Sequence, residues 1–358
     1  MAKHALITGV TGQDGAYLAS FLLKKGYKVF GTFRRVSTPN FWRLQYLNIF
    51  DKINLIPADL NDMSSIVEAI EIAQPHELYN LAAQSYVGTA FEVPIATTQV
   101  DAVGVIMLLE AIRNINKEIK FYQASTSEMY GRTGLANGLG KLAERPLNEN
   151  STFAPMSPYA AAKLYSYWVT KVYRIGYKLF SCQGILFNHE SPLRGLEFVT
   201  RKTSNIVAKI SLGLEKELGI GNLRAVRDWG YAPEYVEAMW KMMQQDEPDD
   251  FVIATNEFHS VYALIKTAFE EVGLNSIKYL RHEKRYDRPV DTNALRGDFS
   301  KAKERLGWEP KTKFEELIKI MVNADIKRWQ DLLDGKIFPW DAPNYPTEAK
   351  IITRALRD

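Results

Sequence analysis

A chain of 358 residues with 46% hydrophobic and 24% charged side chains and a net charge of +3 suits one large or two closely joined domains and excludes disorder. The charges are well mixed, which argues against a dedicated nucleic-acid surface. The single cysteine, Cys182, excludes an intramolecular disulfide and a cysteine-cluster metal site. Lying in the apolar run SCQGILF, it reads as core in a protein of a reducing, cytoplasmic compartment. No apolar run approaches the ~20 residues of a membrane helix, and the opening MAKHALITGVTG lacks the form of a signal peptide. Neither a membrane nor a nucleic-acid partner is expected.

Residues 4–8 have the pattern of a short buried strand; glycines follow, then YLASFLLKKG, apolar at helical spacing and stopped by Gly26. Further strands are predicted at 28–33, 53–57, 77–81 and 119–124, with helices at 63–73 and from Pro94 to about Asn114. This alternation predicts a Rossmann-type, doubly wound parallel α/β sheet that binds ligands beyond the carboxyl ends of its strands. After about Leu186 the elements shorten, and NHESP (188–192) and RDWGY (227–231) fall on loops. The expected division is a dinucleotide-binding domain over 1–186 and a smaller α/β substrate lobe over 187–334. That lobe is interleaved with the last elements of the sheet, and a C-terminal extension covers 335–358.

Gly9, Gly12 and Gly15 form G-x-x-G-x-x-G between the first strand and its helix, a turn that lets backbone approach a pyrophosphate. The second strand ends in Thr32, Phe33, Arg34 and Arg35, where NAD-binding chains place an acid. Two guanidinium forks suit a 2′-phosphate and favour NADP, against two solvated surface arginines as the alternative. Asp59 and Leu60 end the third strand, and LAAQS (81–85) ends the fourth beside the expected nicotinamide ribose. In SPYAAAK, Tyr159 and Lys163 share a helix face, so the ammonium would lower the phenol pKa. Tyr167/Lys171 and Tyr262/Lys266 share the spacing; the helix-start signals Ser157 and Pro158 single out the first pair. In QASTSEMYG (123–131), strand alternation would face Thr126 and Glu128 into the cleft and turn Ser125 and Ser127 away.

ALITGVTGQDGAYL, YNLAAQS, FYQASTSEMYG, SPYAAAKLYSYW, GILFNHESP, EFVTRK and RDWGY, in this order, resemble the GDP-mannose 4,6-dehydratase family of the extended short-chain dehydrogenase/reductase superfamily. The resemblance implies an internal redox cycle on a GDP-sugar. Tyr159, supported by Lys163 and Thr126, would deprotonate the C4 hydroxyl as hydride leaves C4. Glu128 would then take the C5 proton and assist loss of the C6 hydroxyl as water, and hydride would return to C6. A plain epimerase or reductase does not need this second acid/base.

The resemblance also implies NADP contacts at Gly9, Val10, Thr11, Gly12, Gln13, Asp14, Gly15, Arg34, Arg35, Asp59, Leu60, Leu81, Ala82, Ala83, Gln84, Ser85, Tyr159, Lys163, His189 and Arg194. Sugar-nucleotide contacts fall on Ser85, Glu128, Asn188, Lys202, Arg227 and Arg288, and a homo-oligomer, dimer or tetramer, is expected. His189 has no metal-ligand partner at suitable spacing, so it reads as a cofactor contact or a satisfied loop histidine. Leu193, Glu197, Asp291, Tyr86 and Ala96 depart from the family pattern, and about 132–142 reads as an insertion that either covers the site or decorates the surface. The chemistry residues are kept while their neighbours differ, which leaves GDP-manno-heptose as the alternative to GDP-mannose.

Overall fold

The computed structural model describes residues 2–132, 146–286, 294–336 and 340–345. Seven strands form one parallel sheet in the order Asp250–Ile253, Ser181–Leu186, Lys120–Thr126, Glu77–Asn80, His4–Thr8, Lys28–Phe33 and Asn54–Pro57. Neighbours are parallel throughout, as the strand–helix alternation predicts. The order reverses beside His4–Thr8, so a crevice opens at the carboxyl ends of His4–Thr8 and Glu77–Asn80. Strand ends fall within two residues of the sequence reading. The one shift with consequences is at Lys120–Thr126, which runs on to include Ser125 and Thr126.

Local chemistry fixes the helices that carry the site. Helix Pro158–Tyr177 starts where the Ser157 hydroxyl accepts from the Ala160 N–H and Pro158 presets the first turn. Helix Met63–Ala73 is capped by Asp62, which accepts from the Ser64 and Ser65 N–H groups. Helix Gln13–Lys24, by contrast, begins at Gly12 with no side-chain cap, leaving its first N–H groups to a ligand.

The 22-residue helix Pro94–Ile115 corrects the expectation that no apolar segment reaches membrane-spanning length: by length and composition alone it does, and half of its apolar window is buried inside the protein. Val105, Leu108, Leu109 and Ile112 pack it onto the sheet and against helix Met63–Ala73. One turn of this helix, Gln99–Val103, is π-helical.

The second half is interleaved with the first. Helix Ala232–Met243 packs on helix Gln13–Lys24, and the strand that follows it, Asp250–Ile253, closes one edge of the main sheet. Helices Val199–Ser211, Val261–Glu271 and Phe314–Leu333 enclose a separate core around Val207, Leu264, Phe269 and Met321. Arg201 is fully buried there and pairs with Asp325 at 2.9 Å. The described part of the C-terminal extension packs through Trp340, whose ring lies 5.1 Å from that of Trp329.

Asp228 joins the lobe's loops: its buried carboxylate accepts from the Thr255 N–H (2.9 Å) and hydroxyl (2.7 Å), the Asn256 N–H (3.0 Å) and the Gly297 N–H (3.2 Å). Replacing it with alanine strands these buried donors, so Asp228→Ala is expected to cost about 3 kcal/mol or more, read as a lower urea midpoint at unchanged slope.

Candidate active site

The first βα turn is shaped by exclusion. Gly9 has φ +67, and a Cβ there would lie 2.8 Å from the Ala82 Cα; one on Gly15 would lie 2.4 Å from the Gly9 carbonyl oxygen. Only glycine lets the turn fold back on itself and press against the end of the fourth strand. That contact is held by a polar ladder across the strand ends. The Thr8 hydroxyl donates to Asn80 Oδ1 (2.6 Å) and accepts from the N–H groups of Leu81 and Ala82 (both 3.1 Å). Asn80 donates in turn to Gln123 Oε1 at 2.8 Å. Val10, expected to touch the cofactor, is fully buried in the core and does not border the cleft; its methyl groups fill the space where Gly31 lacks a side chain.

A cavity of about 1070 Å³ runs from this turn to the second lobe, above the ~300–1,000 Å³ of most single-ligand pockets. Gly9, Thr11, Gly12, Gln13, Asp14, Gly15, Arg34, Asp59, Leu60, Leu81, Ala82, Ala83, Gln84 and Ser85 border it, together with the uncapped helix start, as a dinucleotide requires. Arg34 borders the cavity; Arg35 is exposed and does not. Successive side chains at a strand end diverge, so one guanidinium rather than two faces the adenosine end.

Asp14 and His189 close the floor. His189 Nε2 lies 2.8 Å from Asp14 Oδ2, and its Nδ1 lies 2.7 Å from the Phe187 carbonyl oxygen. The Phe187 carbonyl can only accept, so Nδ1 carries a proton, and the Asp14 carboxylate favours a second proton on Nε2. Burial opposes the charge, but the Asp14 carboxylate outweighs it and raises the His189 pKa, while Asp14 is held below the usual carboxylate range. Gln13 adds bonds to the His189 carbonyl (3.1 Å) and from the Ser191 hydroxyl (2.7 Å). His189 is therefore both a satisfied buried histidine and part of the cavity wall.

Thr126, Glu128, Tyr159 and Lys163 border the same cavity. Strand alternation is not what brings Thr126 and Glu128 together. The strand stops at Thr126, a 3-10 turn Ser127–Tyr130 follows, and the Thr126 hydroxyl caps it by accepting from the Glu128 N–H at 3.2 Å. Ser125 and Ser127 are buried, and Ser125 donates to Gln183 at 3.1 Å, a scaffold bond; both still touch the cavity edge rather than turning fully away. Lys163 Nζ donates to the Ala124 carbonyl at 3.0 Å and lies 5.9 Å from the Tyr159 ring centre. Burial above all pushes the Tyr159 phenol pKa up, as do the carboxylates of Asp101 and Glu128, while a hydrogen bond with Thr126 and the Arg194 charge pull it down. The net direction is upward, opposite to the expected effect of Lys163 alone. The other Tyr/Lys pairs lie elsewhere: Lys171 pairs with Asp250, and Lys266 with Glu270.

Asn188, Arg194, Lys202 and Arg227 border the distal half of the cavity. Lys202 Nζ stands 3.1 Å from the centre of the Tyr286 ring, and Arg194 pairs with the buried Glu190 at 3.1 Å while its guanidinium covers the Phe198 ring. Arg288, Asp291 and most of the 132–142 insertion lie outside the described residues. Leu193 is core, Glu197 borders the cavity, and the Tyr86 ring meets Phe198 edge-on. Asn222, His282, Tyr286 and Glu190 also line it; none of the four was named as a site residue, although Glu190 lies within the NHESP motif. Asp101 was missed as well, although a lone acid in the apolar run QVDAVGVIMLL was a signal to be found.

The model of the GDP-mannose 4,6 dehydratase family matches residues 6–321. GDP-mannose 4,6 dehydratase 1 of Arabidopsis thaliana is 48% identical over 336 residues, 91% of this chain and 90% of that protein. The human GDP-mannose 4,6 dehydratase is 45% identical over 90% of this chain and 91% of its own, and the Vibrio cholerae enzyme 44% over 96% and 99%. Among solved structures, dTDP-glucose 4,6-dehydratase of Streptomyces venezuelae aligns with TM-score 0.79 at 19% identity, covering 92% of this chain and 98% of that one. UDP-glucose 4-epimerase of Thermotoga maritima aligns with TM-score 0.78 at 24% identity, over 91% and 99%; both likenesses speak to the fold. With the glycine turn, the Tyr159/Lys163 helix and Glu128 gathered in one cleft, the chain belongs to the GDP-mannose 4,6-dehydratase family.

Proposed function

We propose that this protein is a hydro-lyase that dehydrates GDP-mannose to GDP-4-keto-6-deoxymannose with NADP as its resident cofactor. The observation that carries the reading is Glu128 beside Thr126 and Tyr159 in one cleft, a second acid/base that epimerisation or simple reduction does not use. Relatives of that name at 44–48% identity across nine-tenths of the chain support the substrate. A nicotinamide cofactor held along the glycine turn and the 81–85 segment would supply the hydride acceptor for C4 and the hydride donor for C6. Tyr159 takes the C4 hydroxyl proton, with Thr126 holding its oxygen. Lys163, tethered to the Ala124 carbonyl, supplies the positive charge that counters burial of the phenolate. Glu128 takes the C5 proton and hands it to the departing C6 oxygen as water leaves, and the proton that Tyr159 took from the C4 hydroxyl is returned to C5 as C6 is reduced, so both groups end as they began. Lys202 and Arg227 face the diphosphate and its nucleoside.

NADP is favoured over NAD by Arg34 and by the absence of an acid at the end of strand Lys28–Phe33. The oligomer is a homodimer through helix Pro158–Tyr177, whose outer face exposes Tyr165, Trp168, Val172 and Ile175 at helical spacing beside Ile95 and Val103 of the neighbouring helix. A second copy related by a two-fold axis would cover this stripe with its own. The free, buried Cys182 fits a reducing, cytoplasmic setting.

Incubation with GDP-mannose is expected to give a product lighter by one water without accumulation of reduced cofactor; an unchanged mass would point to an epimerase, and GDP-manno-heptose run in parallel reports on the alternative sugar. Glu128→Gln should keep cofactor affinity and lose dehydration by about a hundredfold or more, and full product formation by that variant removes Glu128 from the mechanism. Arg34→Ala should weaken NADPH binding about tenfold or more while leaving NADH nearly unchanged, measured by quenching of protein fluorescence. Trp168→Glu together with Ile175→Lys should halve the mass seen in sedimentation; an unchanged mass would place the dimer surface elsewhere.

A further inference from the structure

The buried acid beneath the redox pair has no place in the chemistry above. Asp101 sits in the π-helical turn Gln99–Val103 and is 1% exposed. Its Oδ1 accepts from the Gln84 N–H at 2.8 Å, while its Oδ2 is buried with no hydrogen-bond partner among the described residues. The Asp101 carbonyl, in the π turn, accepts from the Ser166 hydroxyl. Ser166 lies one turn after Lys163 on the same helix, so Asp101 is clamped to the very segment that carries the redox pair. Gln84 in turn grips its own loop, accepting from the Tyr86 N–H (2.9 Å) and donating to Thr97 Oγ1 (3.3 Å). Asp101 thus ties the cavity-lining loop 81–86 to helix Pro158–Tyr177.

Lys163, one turn before Ser166 on the clamped helix, donates to the Ala124 carbonyl at 3.0 Å and makes no direct ion pair with Asp101, so the two buried charges act on each other through space. Tyr159, one turn before Lys163 on the same helix, lies in the field of Asp101 and also of Glu128 and Arg194. Asparagine would accept the Gln84 bond equally well without the cost of burying an ion. What an aspartate adds at this position is therefore its charge.

We propose that Asp101 is a positioning residue of the redox site: its buried carboxylate is the counter-ion of the Lys163 ammonium, and it sets the pH window in which Tyr159 and Lys163 work. The sign follows from Coulomb's law. A nearby negative charge makes both neighbours harder to deprotonate, keeping Lys163 charged in a buried site at the expense of a less acidic Tyr159.

The activity arm rests on the function proposed above and uses Asp101→Asn in the full-length, cofactor-loaded protein. Both limbs of its kcat–pH profile should move to lower pH, by on the order of one unit. Ser166→Ala removes the backbone clamp but no charge and should leave the limbs in place. Unmoved limbs in Asp101→Asn would reduce Asp101 to a structural bracket and overturn the proposal.

The second arm reads stability alone. Burial raises the Asp101 pKa to about 6 in the folded protein, above its unfolded value, so ionisation opposes folding as pH rises through that range. Lys163→Gln removes the offsetting charge. Its melting temperature should fall well below that of the parent near pH ~7.5, and the gap should close toward pH ~4.5, where Asp101 is protonated. An equal gap at both pH values would overturn the pairing. This arm decides the matter even if Asp101→Asn fails to fold, and an inactive parent would sink the proposed function without touching it.

Discussion

Asp14 and His189 are 175 positions apart in sequence and 2.8 Å apart in the fold, and the cleft is organised around that contact. On one side stands the glycine turn with the uncapped start of helix Gln13–Lys24; on the other is the segment Asn188–Glu190, whose neighbours reach toward the second ligand. Because both ring nitrogens of His189 are held by partners, its orientation is fixed, and stacking on the Tyr235 ring at 4.7 Å fixes its plane. A loose glycine turn would pay the ordering entropy at each binding event; here the protein has already paid it in folding.

The same principle recurs deeper in the site. Thr8, Asn80 and Gln123 form a hydrogen-bonded row under the cleft floor, and Asp101 links the next loop to the helix that bears Tyr159 and Lys163. Each is a buried polar group whose partner comes from a different strand or helix. Such groups add little net stability when satisfied and cost much when one partner is lost. They therefore specify position more than they strengthen the fold. The dehydration proposed above depends on that positioning, because in it Tyr159 and Glu128 address different atoms of one sugar without either moving far.

Much of this was legible beforehand, for identifiable reasons. The strands and the helix starts at Asp62 and Ser157 are local: period-two burial and capping oxygens act within a few residues. The Tyr159/Lys163 pair was chosen over two equally spaced pairs by its cap, and the cavity borders that pair. The reading went astray where a local rule met a change of backbone. Alternation was extended past Thr126 although the strand ends there, and a capping bond rather than pleat sets Glu128 beside it. Arg35 and Val10 belonged to motifs whose neighbours line the cleft, yet one points to solvent and the other into the core.

By itself the sequence determined the order of elements, the glycine turn, and the identity of the acids, bases and cations available, because these follow from residue type and short spacing. The tertiary structure alone decided which of them meet. His189 finding Asp14, Asp101 finding Gln84 and Ser166, and Arg201 finding Asp325 depend on strand order, on a π turn in one helix and on the packing of the second core. Those partners approach from elements distant in sequence, and their pairing is enforced by burial, which leaves an ionised or hydrogen-bonding group no water to turn to.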